Sequence, residues 1–189
     1  MFKSALAAVV LMVGVVSLVY AQAQGPAKPA KVDKDFVDKA ASGGMFEVQL
    51  GTYATTKAQN PDVKKFGQHM VDDHSKANQQ LTQIAQQKGI TVPQTMDSKD
   101  RKNYDRLTKM SGAEFDRAYM SQMIKDHEKD IKEFKHQAQN GKDQDLKTFA
   151  SNTVPTLESH LRLAEEIAPK VGVKTSARAA SSNTGSATK

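Results

Sequence analysis

"FGQHMVDDHSKA", residues 66–77, and "MIKDHEKDI", residues 123–131, share one local pattern: methionine, an aliphatic residue, any residue, aspartate, histidine. The chain holds five histidines, and two of them stand in this setting. Successive helical residues turn by about 100°. With His74 taken as zero, Val63, Gly67, Met70, Ala77, Leu81 and Ala85 fall within about 60° of it, so His74 lies near the centre of an apolar helical stripe. Met120, Met123, Ile131, Phe134 and Ala138 fall within about 40° of His127 in the same way. His69 and His136 point about 140° and 180° away from these two and are predicted to face solvent or the rim.

Working outward, the same period fills four long segments and almost nothing resembles a strand. The first is predicted from about Asp35 to Gln59, where Asn60-Pro61 stops it and opens the second, which runs to Lys88 before Gly89. A long connection from Ile90 to about Ser111 holds a short helix near Lys99 to Lys109. The third segment runs from Gly112 to Asn140, with Ser111 as N-cap and Glu114 completing a capping box. The fourth runs from Lys142 to Lys170 and is expected to be interrupted or kinked at Pro155. Two tight hairpins joined by one longer crossover, between the second and third helices, predict an all-α, ferritin-like four-helix bundle. "DVKKFG" (62–67) and "DLKTFA" (145–150) open the second and fourth helices alike, a trace of duplication.

His160 shares its face with Phe149, Thr153, Ala164 and Ile167. The first helix has no histidine, and its inward polar residue is Glu47, among Phe36, Ala40, Gly43, Gly51, Ala54 and Ala58. Each long helix thus aims one ligand-type side chain inward. Glu47 and His74 stand about 13 and 14 residues from their turn, hence level; His127 and His160 differ by roughly 7 Å at 1.5 Å per residue. Three imidazoles and one carboxylate suit a single transition metal, Zn, Cu or Fe. The residues three before the histidines are Val71, Ile124 and Leu157, so the two Glu-x-x-His motifs of a di-iron centre are absent. Met70 and Met123 stand one turn from their histidines, where flexible core packing is the plainer role than copper ligation. Asp73 and Asp126 are candidates to orient the ligands from behind, with Asp116 and Tyr119 nearby; Asp116 is expected to bond Tyr119 or another helix end. Gly43-Gly44 lies within a helical pattern and is assigned to close helix packing. No nucleophile triad, phosphate loop or spaced acid/base pair is evident, and no catalytic residue is assigned. A buried Glu/His hydrogen-bond network in a non-enzymatic envelope protein is the alternative to a metal site.

Residues 1–23 have the form of a signal peptide: Lys3, an apolar run from Ala5 to Tyr20, and a small-x-small pattern at Ala21-Gln-Ala23. Cleavage after Ala23 would deliver a periplasmic protein, with no stable membrane insertion. Residues 24–34 then form a linker, 35–170 the four-helix bundle domain and 171–189 a tail of Ser/Ala/Thr/Gly composition predicted to be disordered. With no cysteine, there is neither a disulfide framework nor a thiolate ligand. The formal charge of +6 comes largely from the two ends. Without Lys3, Lys170, Lys174, Arg178 and Lys189, 22 basic residues face 21 acids. A nucleic-acid partner would need that charge on the folded body, so none is expected; protein partners and oligomeric state are left open.

The elements "FEVQLGTYA", "FGQHMVDDH", "SGAEFDRAY", "MIKDHE" and "VPTLESHL" appear in this order across about Asp35 to Ala168. In this the chain resembles the domain of unknown function 4142 family, exported bacterial proteins with a ferritin-like four-helix bundle, often labelled outer-membrane proteins. The family's characteristic polar residues fall here on Glu47, Asp73-His74, Phe115-Asp116, Tyr119, His127 and His160. The family's usual Leu-Pro is Val154-Pro155 in this chain. The resemblance implies fold and export, and no activity.

Overall fold

Helix boundaries follow from how each terminal N–H finds an acceptor. The computed structural model describes residues 28–174; the predicted signal segment, the start of the linker and the tail beyond Lys174 lie outside them. Helix α1 spans Lys31–Lys57, α2 Pro61–Gln87, α3 Ser98–Leu107, α4 Gly112–Asn140 and α5 Gln144–Ile167, followed by a 3-10 turn, Ala168–Val171. Asn60 caps α2 by accepting the Asp62 N–H at 2.7 Å, with Pro61 in the first turn where its missing N–H does no harm. Asp97 caps α3, accepting from Lys99 N and Asp100 N at 2.8 Å each, and Asp143 caps α5 at 3.0 and 3.1 Å.

Helix α1 packs along α2 and α4 along α5, and the α1–α4 and α2–α5 faces close a four-sided bundle. Two buried aspartates set the direction of the chain through it. Asp116, near the start of α4, accepts from Gln59 N at 3.0 Å and Asn60 N at 2.7 Å in the α1–α2 turn. Asp33, near the start of α1, accepts from Lys142 N and Asp143 N, each at 2.9 Å, in the α4–α5 turn, and from Gln137 Nε2 at 2.7 Å. Helix α4 therefore begins beside the beginning of α2, the two run the same way, and the connection between them must climb the length of the bundle. Ser42 fastens that crossover to α1, donating to Asp100 Oδ2 at 2.5 Å and accepting from Asp97 N at 2.9 Å. Higher up, the Tyr53 hydroxyl lies 2.9 and 2.8 Å from the Thr108 and Met110 carbonyls. This is the predicted ferritin-like bundle with a single long crossover.

Several local expectations differ from what is found. Helix α1 starts at Lys31, inside the stretch assigned to the linker, because Asp33 is buried at the far turn. Helix α5 starts two residues late because the N–H groups of Lys142 and Asp143 already serve Asp33. Pro155 does not interrupt α5; it stands on the exposed side, where water can satisfy the carbonyl that loses its partner. Ser111 occupies the N-cap position of α4 but its side chain makes no capping bond. The following Gly112 has φ +57°, a left-handed entry that departs from the geometry a capping box needs.

Apolar packing divides into two clusters. One, toward the α1–α2 turn, is built on Phe46, Leu50, Phe66, Met70, Phe115, Met120 and Met123. The other, toward the α4–α5 turn, is built on Phe36, Val37, Leu81, Ile90, Leu146 and Phe149. Met70 and Met123 are thus core residues. Close approach of α1 and α2 rests on Gly51 and Gly67: a Cβ on Gly51 would lie 2.7 Å from the Gly67 carbonyl oxygen. Along α2, α4 and α5 the residues of one cluster give way to those of the other across a single histidine, His74, His127 or His160. A buried polar layer separates the two halves of the core.

Candidate metal centre

Glu47, His74, His127 and His160 come together in that layer, with relative exposures of 2, 7, 0 and 5 %. The levels close by a device that counting residues along helices misses. Glu47 stands three residues nearer its turn than His74, and His127 three nearer its turn than His160. Helical Cα–Cβ bonds lean toward the N-terminus, so side chains on antiparallel neighbours lean in opposite senses. In both hairpins that lean brings the two side chains together across about 4.5 Å of axial offset. The three imidazole rings form a triangle with centroids 5.3, 5.3 and 5.7 Å apart. One nitrogen from each lies within 4.8 Å of the other two. His69 and His136 are exposed, as their angles require.

Each ring has one nitrogen committed to an acceptor outside the triangle. His74 Nδ1 donates to Glu47 Oε2 at 2.9 Å. His127 Nδ1 donates to the Met123 carbonyl, one turn back, at 2.9 Å. His160 Nε2 donates to Asp73 Oδ2 at 3.0 Å. Asp73 therefore orients the histidine of a different helix, α5, rather than its own neighbour His74. These partners assign the tautomers, and they leave His127 Nε2 and His160 Nδ1 as bare lone pairs facing each other at 3.3 Å. Glu47 Oε1, which has no hydrogen-bond partner, lies 3.6 Å from the same His127 nitrogen. Three electron-rich atoms converge with no proton among them.

Electrostatics sharpens this imbalance. Burial pushes Glu47 up, but the His74 charge and hydrogen bond, then His127 and His160, outweigh it and hold the carboxyl down at about 2. Burial opposes the charge on His74, but Glu47 overrides it and raises the imidazole above its usual range. His127 is pushed down to about 4, by burial first and by His74 and His160, against the pull of Glu47. Burial and the His74 charge also lower His160, against Asp73. At neutral pH a proton is thus a poor occupant of the space between His127 and His160.

The three histidines could hold a metal ion. Zn–N bonds of about 2.0–2.1 Å in a tetrahedron set neighbouring donors roughly 3.3–3.4 Å apart, which matches the 3.3 Å between His127 Nε2 and His160 Nδ1. The outward nitrogens are each hydrogen-bonded, the arrangement that fixes a ligating imidazole's tautomer and ring plane. His74, whose Nε2 is buried without a partner, could supply a third nitrogen once that atom has lost its proton. Beside Glu47 and His74 is a cavity of about 20 Å³, also lined by Gly43, Gly44, Asn78 and Asp130, with room for about one water.

The other candidates stand apart from the triangle. Asp126 accepts from Gln122 Nε2 at 3.0 and 3.1 Å and bonds no histidine; burial and then the Glu47 charge, against Gln122, raise it to about 6. Asp116 holds the α1–α2 turn, the helix-end role expected of it. Tyr119 stacks on Phe115 at 5.2 Å and meets Phe66 edge-on at 6.0 Å; its buried hydroxyl has no partner. The same Phe66 ring also meets His127 edge-on, with centroids 6.4 Å apart. Asp130 was missed from the sequence, although it is three residues after His127 and shares its face. Burial, then Glu47, raises its carboxyl to about 8.

Comparison of the chain with curated proteins gave no match. Among solved structures it is similar to a DUF305 protein from Streptomyces coelicolor, with 13% identity and a TM-score of 0.65 over 76% of this chain and 94% of that one. It is also similar to a DUF305 fragment from Deinococcus radiodurans, with 11% identity and a TM-score of 0.65 over 75% and 98%. At these identities the likeness concerns the fold alone. Residues 19–167 match the model of a domain of unknown function, DUF4142, and the chain belongs to that family.

Proposed function

We propose that the protein is an exported, periplasmic holder of one transition-metal ion, of the Zn, Cu or Fe class, bound among Glu47, His74, His127 and His160. The observation that carries this is the 3.3 Å contact of two imidazole nitrogens, both left without a proton by the tautomers their outer partners assign, beside an unpartnered carboxylate oxygen. A purely hydrogen-bonded network leaves that contact one cation short, and burial disfavours a proton there. Storage or buffering of the ion fits better than chemistry on an organic substrate, because the adjoining cavity of about 20 Å³ admits nothing much larger than water. Ligands from all four long helices make binding an addition to fold stability. Among the described residues no helix is long and apolar enough to cross a membrane, consistent with a mature form not inserted in one.

Elemental analysis of the mature protein, purified from the periplasm without chelator beside the His74→Ala, His127→Ala double variant, tests this. About one ion per wild-type chain, lost in the variant, is expected. An ion retained by the variant would place the site elsewhere, and no ion in the wild type, even after reconstitution, would leave the hydrogen-bonded network as the function of these residues.

A further inference from the structure

The four proposed ligands are too deeply buried for an ion to reach them past their own faces. We propose that the ion enters through the cavity beside Gly43 and Gly44, and that Asp130 is the carboxylate that passes it from the surface to Glu47 and His74. The inference rests on the metal-holding reading above and adds the route.

Three acids mark the path with falling exposure. The Glu133 side chain is 26 % exposed, Asp130 15 % and Glu47 3 %. All three line the same small cavity, together with His74. The two most buried of its polar lining residues, Glu47 and His74, each carry one buried atom with no hydrogen-bond partner, Oε1 and Nε2. At its outer end, Lys129 lies 3.4 Å from Asp130 and 3.6 Å from Glu133, and Lys39 lies 3.4 Å from Glu133. Both lysines are about half exposed, and such surface pairs hold weakly, so an arriving cation can replace them.

The glycine pair gives an independent sign. A glycine inside a helix costs about 1 kcal/mol relative to alanine, so each needs a reason. Gly44 has one: its Cβ would lie 2.0 Å from Asn78 Oδ1. Gly43 has none in packing, since the nearest atom its Cβ would meet is Asp130 Oδ2, at 4.0 Å. An alanine would fit there and would narrow the approach to that oxygen.

Metal-free wild type, Asp130→Asn and Gly43→Leu are mixed with Zn²⁺ in stopped flow, and uptake is followed by competition with a chromophoric chelator. Final stoichiometry and affinity are measured on the same samples. Both variants are expected to load about 10-fold or more slowly and still reach one Zn²⁺ per chain at wild-type affinity. Uptake by Asp130→Asn at the wild-type rate overturns the route. Loss of affinity in that variant overturns it too, by making Asp130 a ligand. Should Gly43→Leu fail to fold, the near-isosteric Asp130→Asn decides alone. A wild type that takes up no Zn²⁺ at equilibrium overturns the metal-holding reading itself, and the entry route with it.

Discussion

Replacing Asp73 with asparagine separates a ligand-orienting role from a merely structural one. The carboxylate accepts the His160 Nε2 proton at 3.0 Å, while its side chain is 37 % exposed. In the metal-free protein, Asp73→Asn exchanges one half-exposed charged acceptor for a neutral one, a loss of about 1 kcal/mol or less. With metal bound, the same carboxylate raises the basicity of a ligating imidazole and fixes its plane, and removing such a partner typically costs about 10–100-fold in metal affinity. That factor is about 1.4–2.7 kcal/mol, and by mass action it is subtracted from the stability that saturating metal confers. For a domain of this size, about 3–5 °C of Tm corresponds to each kcal/mol. The metal-dependent rise in Tm should therefore shrink by about 4–13 °C. Scanning calorimetry of wild type and variant, with chelator and with a fixed excess of Zn²⁺, reads both quantities. Equal drops in Tm with and without metal would refute the reasoning, because they would make the Asp73–His160 bond a fold contact with no bearing on an ion.

Zn²⁺ binding should release protons, because the His74 imidazole, raised above its usual range by Glu47, must lose its Nε2 proton to become a ligand. Affinity should accordingly rise with pH through and above the ordinary histidine range, as isothermal titration in buffers of different ionisation enthalpy would register. In the metal-free protein the Asp130 carboxyl is raised from 3.8 to about 8, so the unfolded state gives up its proton first and stability falls as pH climbs between those values. Asp130→Asn should then raise Tm at pH 8 and change it little near pH 4, in thermal melts at both. Asp116→Ala and Asp33→Ala should each destabilise by about 2–5 kcal/mol in urea titrations, since each leaves two backbone N–H groups of a turn without an acceptor.

Helical period was enough to place the four long helices, because each carries an apolar stripe broken only by its inward polar residue, and Asn60-Pro61 and Gly141 mark both hairpin turns. The inward direction of Glu47, His74, His127 and His160 was legible for the same reason. What escaped was whatever depends on a residue distant in sequence. Asp33 reads as one more charge in a polar linker until the α4–α5 turn, 109 positions away, presents its N–H groups. Asp73 sits beside His74 in the chain, and nothing local says that it serves His160 across the α2–α5 face. With the observed helix ends the roughly 7 Å expected between His127 and His160 becomes about 4.5 Å, Glu47 and His74 are offset by as much rather than level, and the opposite lean of the side chains closes both gaps. Ser111 and Glu114 have the spacing of a capping box, but the left-handed Gly112 between them spoils it.

The two turn-closing aspartates tie the halves of the molecule together reciprocally. The α1–α2 hairpin carries Asp33 but needs Asp116 from the other half, and the α4–α5 hairpin carries Asp116 but needs Asp33. Neither half can complete its own bend, so a chain severed in the crossover would leave two fragments that finish each other or not at all. That exchange of matching parts is the logic of a domain-swapped pair joined into a single polypeptide. The similar openings of α2 and α5 are what two descendants of one hairpin would retain. An ion held at the seam would then require both halves to be present and docked.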